Sequence, residues 1–122
     1  MNLFTELQKR GYQMTLERVA DRSYWYCKPE QKRKDLIQEL ALVVNWIFEN
    51  FDVDISIYGR LPYLQYSDSE YGEGELKWHF EYRIIKNKDG QKCEVVEPKD
   101  WFETKEEATI AAIEFLIENK LI

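Results

Sequence analysis

The stretch of sequence over residues 75–98 decides the fold of this chain. It reads Glu-Leu-Lys-Trp-His-Phe-Glu-Tyr-Arg-Ile-Ile-Lys over 75–86, Asn-Lys-Asp-Gly over 87–90 and Gln-Lys-Cys-Glu-Val-Val-Glu-Pro over 91–98. Apolar and polar residues alternate over 76–84, and a period of two is typical of an antiparallel strand with one buried face. The Asn-Lys-Asp-Gly segment predicts a tight reversal, because Gly90 can adopt a positive φ. The stretch therefore predicts a β-hairpin with one apolar face. That face consists of Leu76, Trp78, Phe80, Tyr82 and Ile84.

Other segments predict further strands for the same sheet. Residues 52–58 alternate, with Val53, Ile55 and Ile57 on the inward side, and the run is expected to end at Gly59. Shorter extended segments are predicted over 12–19, 23–27 and 63–66. Together with the hairpin, these segments predict an antiparallel sheet of about four to five strands.

Three segments show the apolar spacing of three and four residues that is typical of helices. A short helix over 3–10 ends in a Lys-Arg-Gly sequence, which is a helix stop. A long helix begins at Pro29 and is expected to be capped near Asn50. The C-terminal helix begins at Thr104, whose hydroxyl and the carboxylate of Glu107 form a capping box.

The long helix carries a wide apolar stripe that we expect to face the sheet. The stripe consists of Leu36, Ile37, Leu40, Val43, Val44, Ile47, Phe48 and Phe51. Trp46 lies beside the stripe and is expected at the edge of the core, whereas Glu39 belongs to the polar side and is expected in solvent. The apolar faces of the long and C-terminal helices need a sheet to cover. The chain is therefore predicted to be a single α+β domain over 1–122, with two layers.

Composition limits the classes of function. The chain has 122 residues, of which 33% are charged, and its net charge is -6. This charge argues against a general nucleic-acid binder, because phosphate contacts require clustered Lys and Arg. Cys27 and Cys93 are too few for a disulfide framework or a four-cysteine zinc site. The sequence shows no signal peptide and no apolar run of the ~20 residues that span a bilayer, so we expect a cytoplasmic protein without membrane association.

Two segments resemble a known group of proteins. Residues 101–114 read Trp-Phe-Glu-Thr-Lys-Glu-Glu-Ala-Thr-Ile-Ala-Ala-Ile-Glu, and residues 9–12 read Lys-Arg-Gly-Tyr. The combination resembles small uncharacterised proteins that bacterial phages, prophages and mobile elements carry. The resemblance covers only these short segments and implies no activity and no site residues. It implies a non-enzymatic accessory protein of a phage or mobile element.

The acidic loop over 67–75 is the first candidate contact surface. The residues expected to contact a protein partner are Tyr66, Asp68, Glu70, Tyr71 and Glu73. Carboxylates between tyrosines can mimic the phosphates and bases of nucleic acid, and so occupy the basic groove of a nucleic-acid enzyme. The alternative is a solvated loop without a partner, which is common for charged glycine-rich loops.

The segment over 24–34 is a second candidate, because it places aromatic residues beside basic ones. Stacking combined with charge is how proteins hold single-stranded nucleic acid. The residues concerned are Tyr24, Trp25, Tyr26, Lys32, Arg33 and Lys34. An ordinary solvated face is the alternative, since Glu30 and Asp35 dilute the charge, and nucleic acid is not the expected partner.

His79 is the only histidine of the chain. It alternates with the aromatic residues of the hairpin, so we expect it on the opposite face as a solvated or cross-strand polar residue. A metal site with Cys93 would lack the paired His and Cys spacing of zinc proteins. Cys27 and Cys93 are expected to be packing residues. We predict no catalytic residues, no metal and no cofactor.

The main hypothesis is a small non-enzymatic protein that acts through an unknown protein partner, as a monomer or a homodimer. One alternative is a weak nucleic-acid-binding protein that uses the segment over 24–34. The other is an enzyme or metal site that cannot be assembled from the sequence.

Overall fold

The computed structural model describes residues 2–14, 29–60, 78–88, 90–96 and 101–122. In chain order they form α1 (Leu3–Lys9), α2 (Pro29–Phe51), β1 (Val53–Arg60), β2 (His79–Lys88), β3 (Gln91–Val96) and α3 (Lys105–Glu118). The fold is α+β with an antiparallel sheet, which confirms the predicted class.

The predicted hairpin is formed by β2 and β3. Lys88 pairs with Gln91, and Gly90 has a φ of 81°. This left-handed value is the one that a tight hairpin turn requires and that Gly adopts without steric cost. Phe102 then extends the β3 side of the sheet through a single bridge to Phe80, in which both N–H···O distances are 2.8 Å.

Strand β1 pairs with β2 on the other side, so the strand order is β1-β2-β3. Ile55 lies opposite Ile84, and Gly59 lies opposite Phe80. These pairs point towards the helices, whereas the intervening pairs, such as Arg60 with His79, point to the outer face. The inward direction predicted for the apolar residues of β1 is therefore confirmed.

The predicted number of strands is not confirmed. The described residues contain three strands rather than four to five. Of the segment over 12–19, residues 12–14 are described and form no strand. Residues 15–19 and the predicted strands over 23–27 and 63–66 lie outside the described residues, so these strands stay predictions. Strand β1 continues through Gly59 instead of ending there, because the backbone of Gly59 still pairs with β2.

Each helix in the described part of the chain ends at a residue with a positive φ. The values are 98° at Gly11, 57° at Asp52 and 55° at Lys120. After α3, the N–H of Leu121 donates to the carbonyl of Leu116 at 2.8 Å, which is the long bond of a Schellman motif. The C-terminal residues Leu121 and Ile122 therefore turn back onto the core.

The predicted caps are confirmed at one helix start and shifted at one helix end. Thr104 Oγ1 accepts from the N–H of Glu107 at 3.2 Å, which is one of the two hydrogen bonds of the predicted capping box. The end of α2 falls after Phe51 rather than at Asn50. The side chain of Asn50 instead donates to the carbonyl of Trp46 at 2.9 Å and satisfies one of the last carbonyls of the helix.

Helix α1 joins the two ends of the described chain. Arg10 Nε donates to the carbonyl of Ile122 at 3.3 Å, and its Nη1 donates to Glu6 Oε2 at 3.1 Å. The side-chain hydrogen bond from Lys9, followed by that from Arg10, holds the pKa of Glu6 below its usual value. The Glu6 side chain is 30% exposed, so water still screens these pairs and they add little to folding.

The core lies between the helices and the inward face of β1 and β2. Its members with no exposed surface are Leu7, Val43, Ile47, Val53, Ile84, Ala108, Ala112, Ile113 and Leu116. Trp46 is partly buried against this core, as predicted, and its ring lies edge-on to those of Tyr12 and Phe51 at 5.3 and 5.4 Å. The three elements that flank the sheet, α1, α2 and α3, therefore share one apolar interior.

The buried face of α2 is rotated from the predicted stripe towards Asp35 and Glu39. Ile37 and Phe48 of the predicted stripe are 43% and 51% exposed, whereas Glu39 is completely buried. The expectation that Glu39 lies in solvent is wrong, because Tyr12 covers this flank of the helix. The hydroxyl of Tyr12 donates to Glu39 Oε1 at 2.5 Å, which satisfies a carboxylate oxygen that would otherwise be costly to bury.

We predict that Glu39→Ala lowers the free energy of unfolding by about 1–3 kcal/mol, because the buried hydroxyl of Tyr12 loses its acceptor. Glu49→Ala is the matched control, since Glu49 is an exposed carboxylate of the same helix. It should change stability by less than about 0.5 kcal/mol. Urea unfolding followed by circular dichroism measures both, and equal losses would contradict a structural role for Glu39.

Candidate functional site

Two aromatic rings lie over Gly59 at one end of the sheet. Trp78 and Phe80 are stacked, with ring centroids 6.5 Å apart and an interplanar angle of 22°. A Cβ on Gly59 would approach Phe80 Cε1 to 2.9 Å and Trp78 Cε3 to 3.0 Å, so only glycine leaves room for both rings. We call Gly59, Trp78 and Phe80 the aromatic patch. Lys105 closes a hollow of about 260 Å³ beside it, with Nζ 5.9 Å from the centroid of Phe80.

Trp78 is 52% exposed. The sequence predicts that the Trp78 side chain points to the buried face of the sheet. The side chain does point to that face, since it lies over Gly59, but it is not buried. It precedes the first residue of β2 and lies at the end of the sheet, so the sheet interior does not enclose it. The patch therefore presents a large, prepositioned aromatic surface to solvent.

An apolar groove opens between α2, β1 and the start of α3, next to the aromatic patch. Its volume is about 400 Å³. Its apolar lining consists of Ile37, Leu40, Ala41, Val44, Ile55 and Ile57. The exposure of Ile37, which the predicted stripe placed inside, follows from its position on the wall of this groove.

The mouth of the apolar groove carries a positive charge, on Lys105, that no described carboxylate compensates. Glu106 forms an ion pair with Arg33, with 3.6 Å between Oε1 and Nη2. Lys105 borders both the groove and the aromatic patch, and it forms no ion pair with any residue that the structure describes. It is also the first residue of α3, where a cation interacts unfavourably with the helix dipole.

The outer face of the sheet is also aromatic, but its arginines Arg60 and Arg83 are paired with carboxylates. His79 stacks on Trp101, with ring centroids 3.8 Å apart and an interplanar angle of 7°. The guanidinium groups of Arg60 and Arg83 lie 5.5 and 5.6 Å from the centroid of Tyr58. Arg60 faces Glu81 at 3.8 Å, and Arg83 faces Glu94 at 3.0 Å.

The residues considered for metal or thiol chemistry do not converge. His79 points to the outer face, as the alternation predicts, and its stacking on Trp101 was not foreseen. Cys93 is exposed and lies opposite Lys86, whose side chain shares the inward direction of Phe80. Within the described residues, no three His, Cys, Asp or Glu side chains gather as metal ligands would.

The basic cluster at the start of α2 is described only in part, so the nucleic-acid surface proposed for it stays a prediction. Arg33 pairs with Glu106, Lys32 is half-buried and Lys34 is exposed. The aromatic partners proposed for this cluster, Tyr24, Trp25 and Tyr26, lie outside the described residues, as does Cys27. The acidic-loop residues Tyr66, Asp68, Glu70, Tyr71 and Glu73 also lie outside them.

Sequence reasoning missed both the aromatic patch and the apolar groove, although two signals pointed to them. A glycine inside an alternating strand often marks a close approach of other atoms, and Gly59 was instead interpreted as the end of a strand. A lysine directly after a helix cap opposes the helix dipole, and Lys105 occupies that position.

The chain matches no protein-family model, and no curated protein or solved structure shows detectable similarity to it. The resemblance of residues 9–12 and 101–114 to proteins of phages and mobile elements therefore stays a prediction. Among the helices of the described residues, none combines the length and the apolar character that crossing a bilayer would require.

We predict that Gly59→Ala displaces the rings of Trp78 and Phe80, because the new Cβ would lie about 3 Å from both. The indole N–H resonance of Trp78 should shift in a ¹⁵N-correlated NMR spectrum, whereas that of Trp46 should stay in place. Gly90→Ala is the control. It has open space around the new Cβ, so it should leave Trp78 unchanged while costing about 1–2 kcal/mol of stability through its positive φ. An unmoved Trp78 resonance in Gly59→Ala would contradict the geometry of the patch.

Proposed function

We propose that this protein is a small, non-enzymatic, cytoplasmic binding protein that acts through a protein partner, as an accessory factor of a phage or mobile element. The observation that carries the proposal is the half-exposed Trp78 stacked on Phe80. Tryptophan is the residue type most enriched among side chains that dominate protein interfaces. A ring already held by a neighbour also loses little conformational freedom on binding.

The position of the aromatic patch agrees with the contact loop proposed from the sequence. Arg60 and Trp78 are the described residues that flank the acidic loop in the chain, and both lie at the end of the sheet that carries the patch. A partner that covers Trp78 would therefore lie beside the two points at which the segment over 61–77, which contains the loop, leaves and rejoins the described residues. We propose that the patch is the anchor and that the acidic tyrosine-rich loop adds specificity.

The nucleic-acid alternative has less support. Arg33 is engaged by Glu106, and the cations of the outer face, Arg60 and Arg83, are each paired with a carboxylate. A nucleic-acid surface needs cations that can pair with phosphates instead. An enzyme or metal site is likewise a weaker alternative, since the described residues gather no group of metal ligands.

Self-association is a further possibility that the proposal retains. Residues 91–94 of β3 are exposed, and among the described strands β3 pairs with β2 alone. An unpaired strand edge can pair with another chain, although Lys92 on this edge disfavours such pairing. The protein is thus proposed to be a monomer or a homodimer, and sedimentation of the purified protein distinguishes the two.

We predict that Trp78→Ala weakens partner binding by roughly thirty-fold, the loss that an interface hot spot of about 2 kcal/mol produces. Trp101→Ala is the matched control, because Trp101 is 50% exposed, close to the 52% of Trp78, but lies on the opposite face of the sheet. Immobilised wild-type protein and both variants are incubated with host lysate, and the captured proteins are quantified by mass spectrometry.

The expected result is a protein captured by the wild type and by Trp101→Ala but not by Trp78→Ala. Capture that survives Trp78→Ala equally well would contradict the aromatic patch as the anchor. Capture of nucleic acid instead of protein, abolished at high salt, would favour the alternative.

A further inference from the structure

We propose that the apolar groove between α2, β1 and α3 binds a small amphipathic carboxylate, with its alkyl chain in the groove and its carboxylate at Lys105. This ligand is distinct from the protein partner that the aromatic patch is proposed to bind. The inference rests on the shape of the groove, on its chemistry and on the charge at its mouth.

The walls of the groove suit an alkyl chain. Leu40 and Ile55 form buried parts of the wall, and Ile37 and Ala41 remain exposed beside them. A volume of about 400 Å³ is at the small end of the range of natural ligand sites. Filling it with CH₂ groups would remove apolar surface from water on both the ligand and the protein.

The groove offers little to a peptide. Besides the charged side chains at the mouth, Thr109 is the only polar residue among those described that line it. The hydroxyl of Thr109 already donates to the carbonyl of Lys105 at 2.8 Å. A peptide backbone placed in the groove would leave N–H and C=O groups without partners, which is costly, whereas an alkyl chain has no such groups.

The charge at the mouth selects an anion. Arg33 compensates Glu106, so among the described residues Lys105 leaves a net positive charge beside the apolar walls. A carboxylate at this point would pair with Lys105, whereas a cationic amphiphile would be repelled by it. Charge complementarity and an apolar wall together define an alkyl carboxylate rather than an alkane or an alkylammonium ion.

Titration of the purified protein with decanoate, followed by ¹⁵N-correlated NMR, tests the proposal. We expect saturable shifts of amides in 37–44, 55–57 and 105–109. Affinity should rise about four-fold for each CH₂ from hexanoate to decanoate, as burial of the added groups requires. Decyltrimethylammonium should bind more weakly than decanoate at the same concentration.

Two pairs of variants locate the ligand. Lys105→Gln should weaken decanoate binding about two- to five-fold, the effect of a partly exposed ion pair, and Lys105→Arg should retain it. Ala41→Phe should fill the groove and abolish binding. Leu42→Phe is its control, because Leu42 is exposed on the same helix and does not line the groove.

Three outcomes would overturn the proposal. If decanoate bound equally well to the wild type and to Ala41→Phe, its binding site would lie outside the groove. Equal affinity for decanoate and decyltrimethylammonium would remove the role of Lys105. If the amide resonances of the groove also shifted when the protein was concentrated without any ligand, that result would show that a second copy of the chain occupies the groove. These experiments use isolated protein, so they fail or succeed independently of partner capture through Trp78.

Discussion

The pairing of β1 with β2 is the constraint on which the core depends, because side chains alternate along each strand. A slip of one residue would move Val53 and Ile55 from the core to the outer face. The register is also held where α2 enters the sheet. Asn87 Nδ2 donates to Asp52 Oδ2 at 2.7 Å, and the N–H of Asn87 donates to the carbonyl of Asp52 at 3.2 Å. Since Asp52 also ends α2 with a left-handed φ, one residue couples the direction of the helix to the register of the sheet.

The same register decides the chemistry of the two faces at the far end of the ladder. It places Gly59 opposite Phe80 on the inward side and Arg60 opposite His79 on the outer side. On the outer side, His79 stacks on Trp101 and the arginines pair with carboxylates, so these groups find their partners within the protein. The inward side gains rings beside a hollow that the helices leave partly open. The face that remains incomplete is therefore the one where a ligand or partner adds most apolar contact.

The strands that alternate most clearly could be predicted from the sequence, because period-two patterning and turn chemistry act locally. The hairpin at Gly90 and the cap at Thr104 are of this kind. The burial of Glu39 could not be predicted, since it depends on the hydroxyl of Tyr12, which lies 27 residues away in the chain. Ile37 belongs to the apolar stripe in the sequence, yet it lines the apolar groove. The reason is that Tyr12 covers the opposite flank of α2 and so decides which face of the helix is buried.

The candidate sites were harder to predict than the fold for a related reason. A groove is defined by the space between elements, and the residues that line this one come from α2, β1 and α3. Each is ordinary in its own element, and only their meeting creates the site. Lys105 is the exception, because its conflict with the helix dipole is visible locally. A local rule that is broken without local compensation is a signal worth following to the tertiary structure.

The overall charge of the chain constrains how such a groove can work. A net charge of -6 repels anions. At moderate ionic strength, salt screens this repulsion at distances beyond about 10 Å. Lys105 acts only at contact, so it can orient a carboxylate without drawing it from afar. Most of the affinity must then come from the apolar walls, and the charge decides which end of the ligand points outwards. A site built this way selects by shape and polarity together, and that combination favours a small amphipathic ligand over a highly charged one.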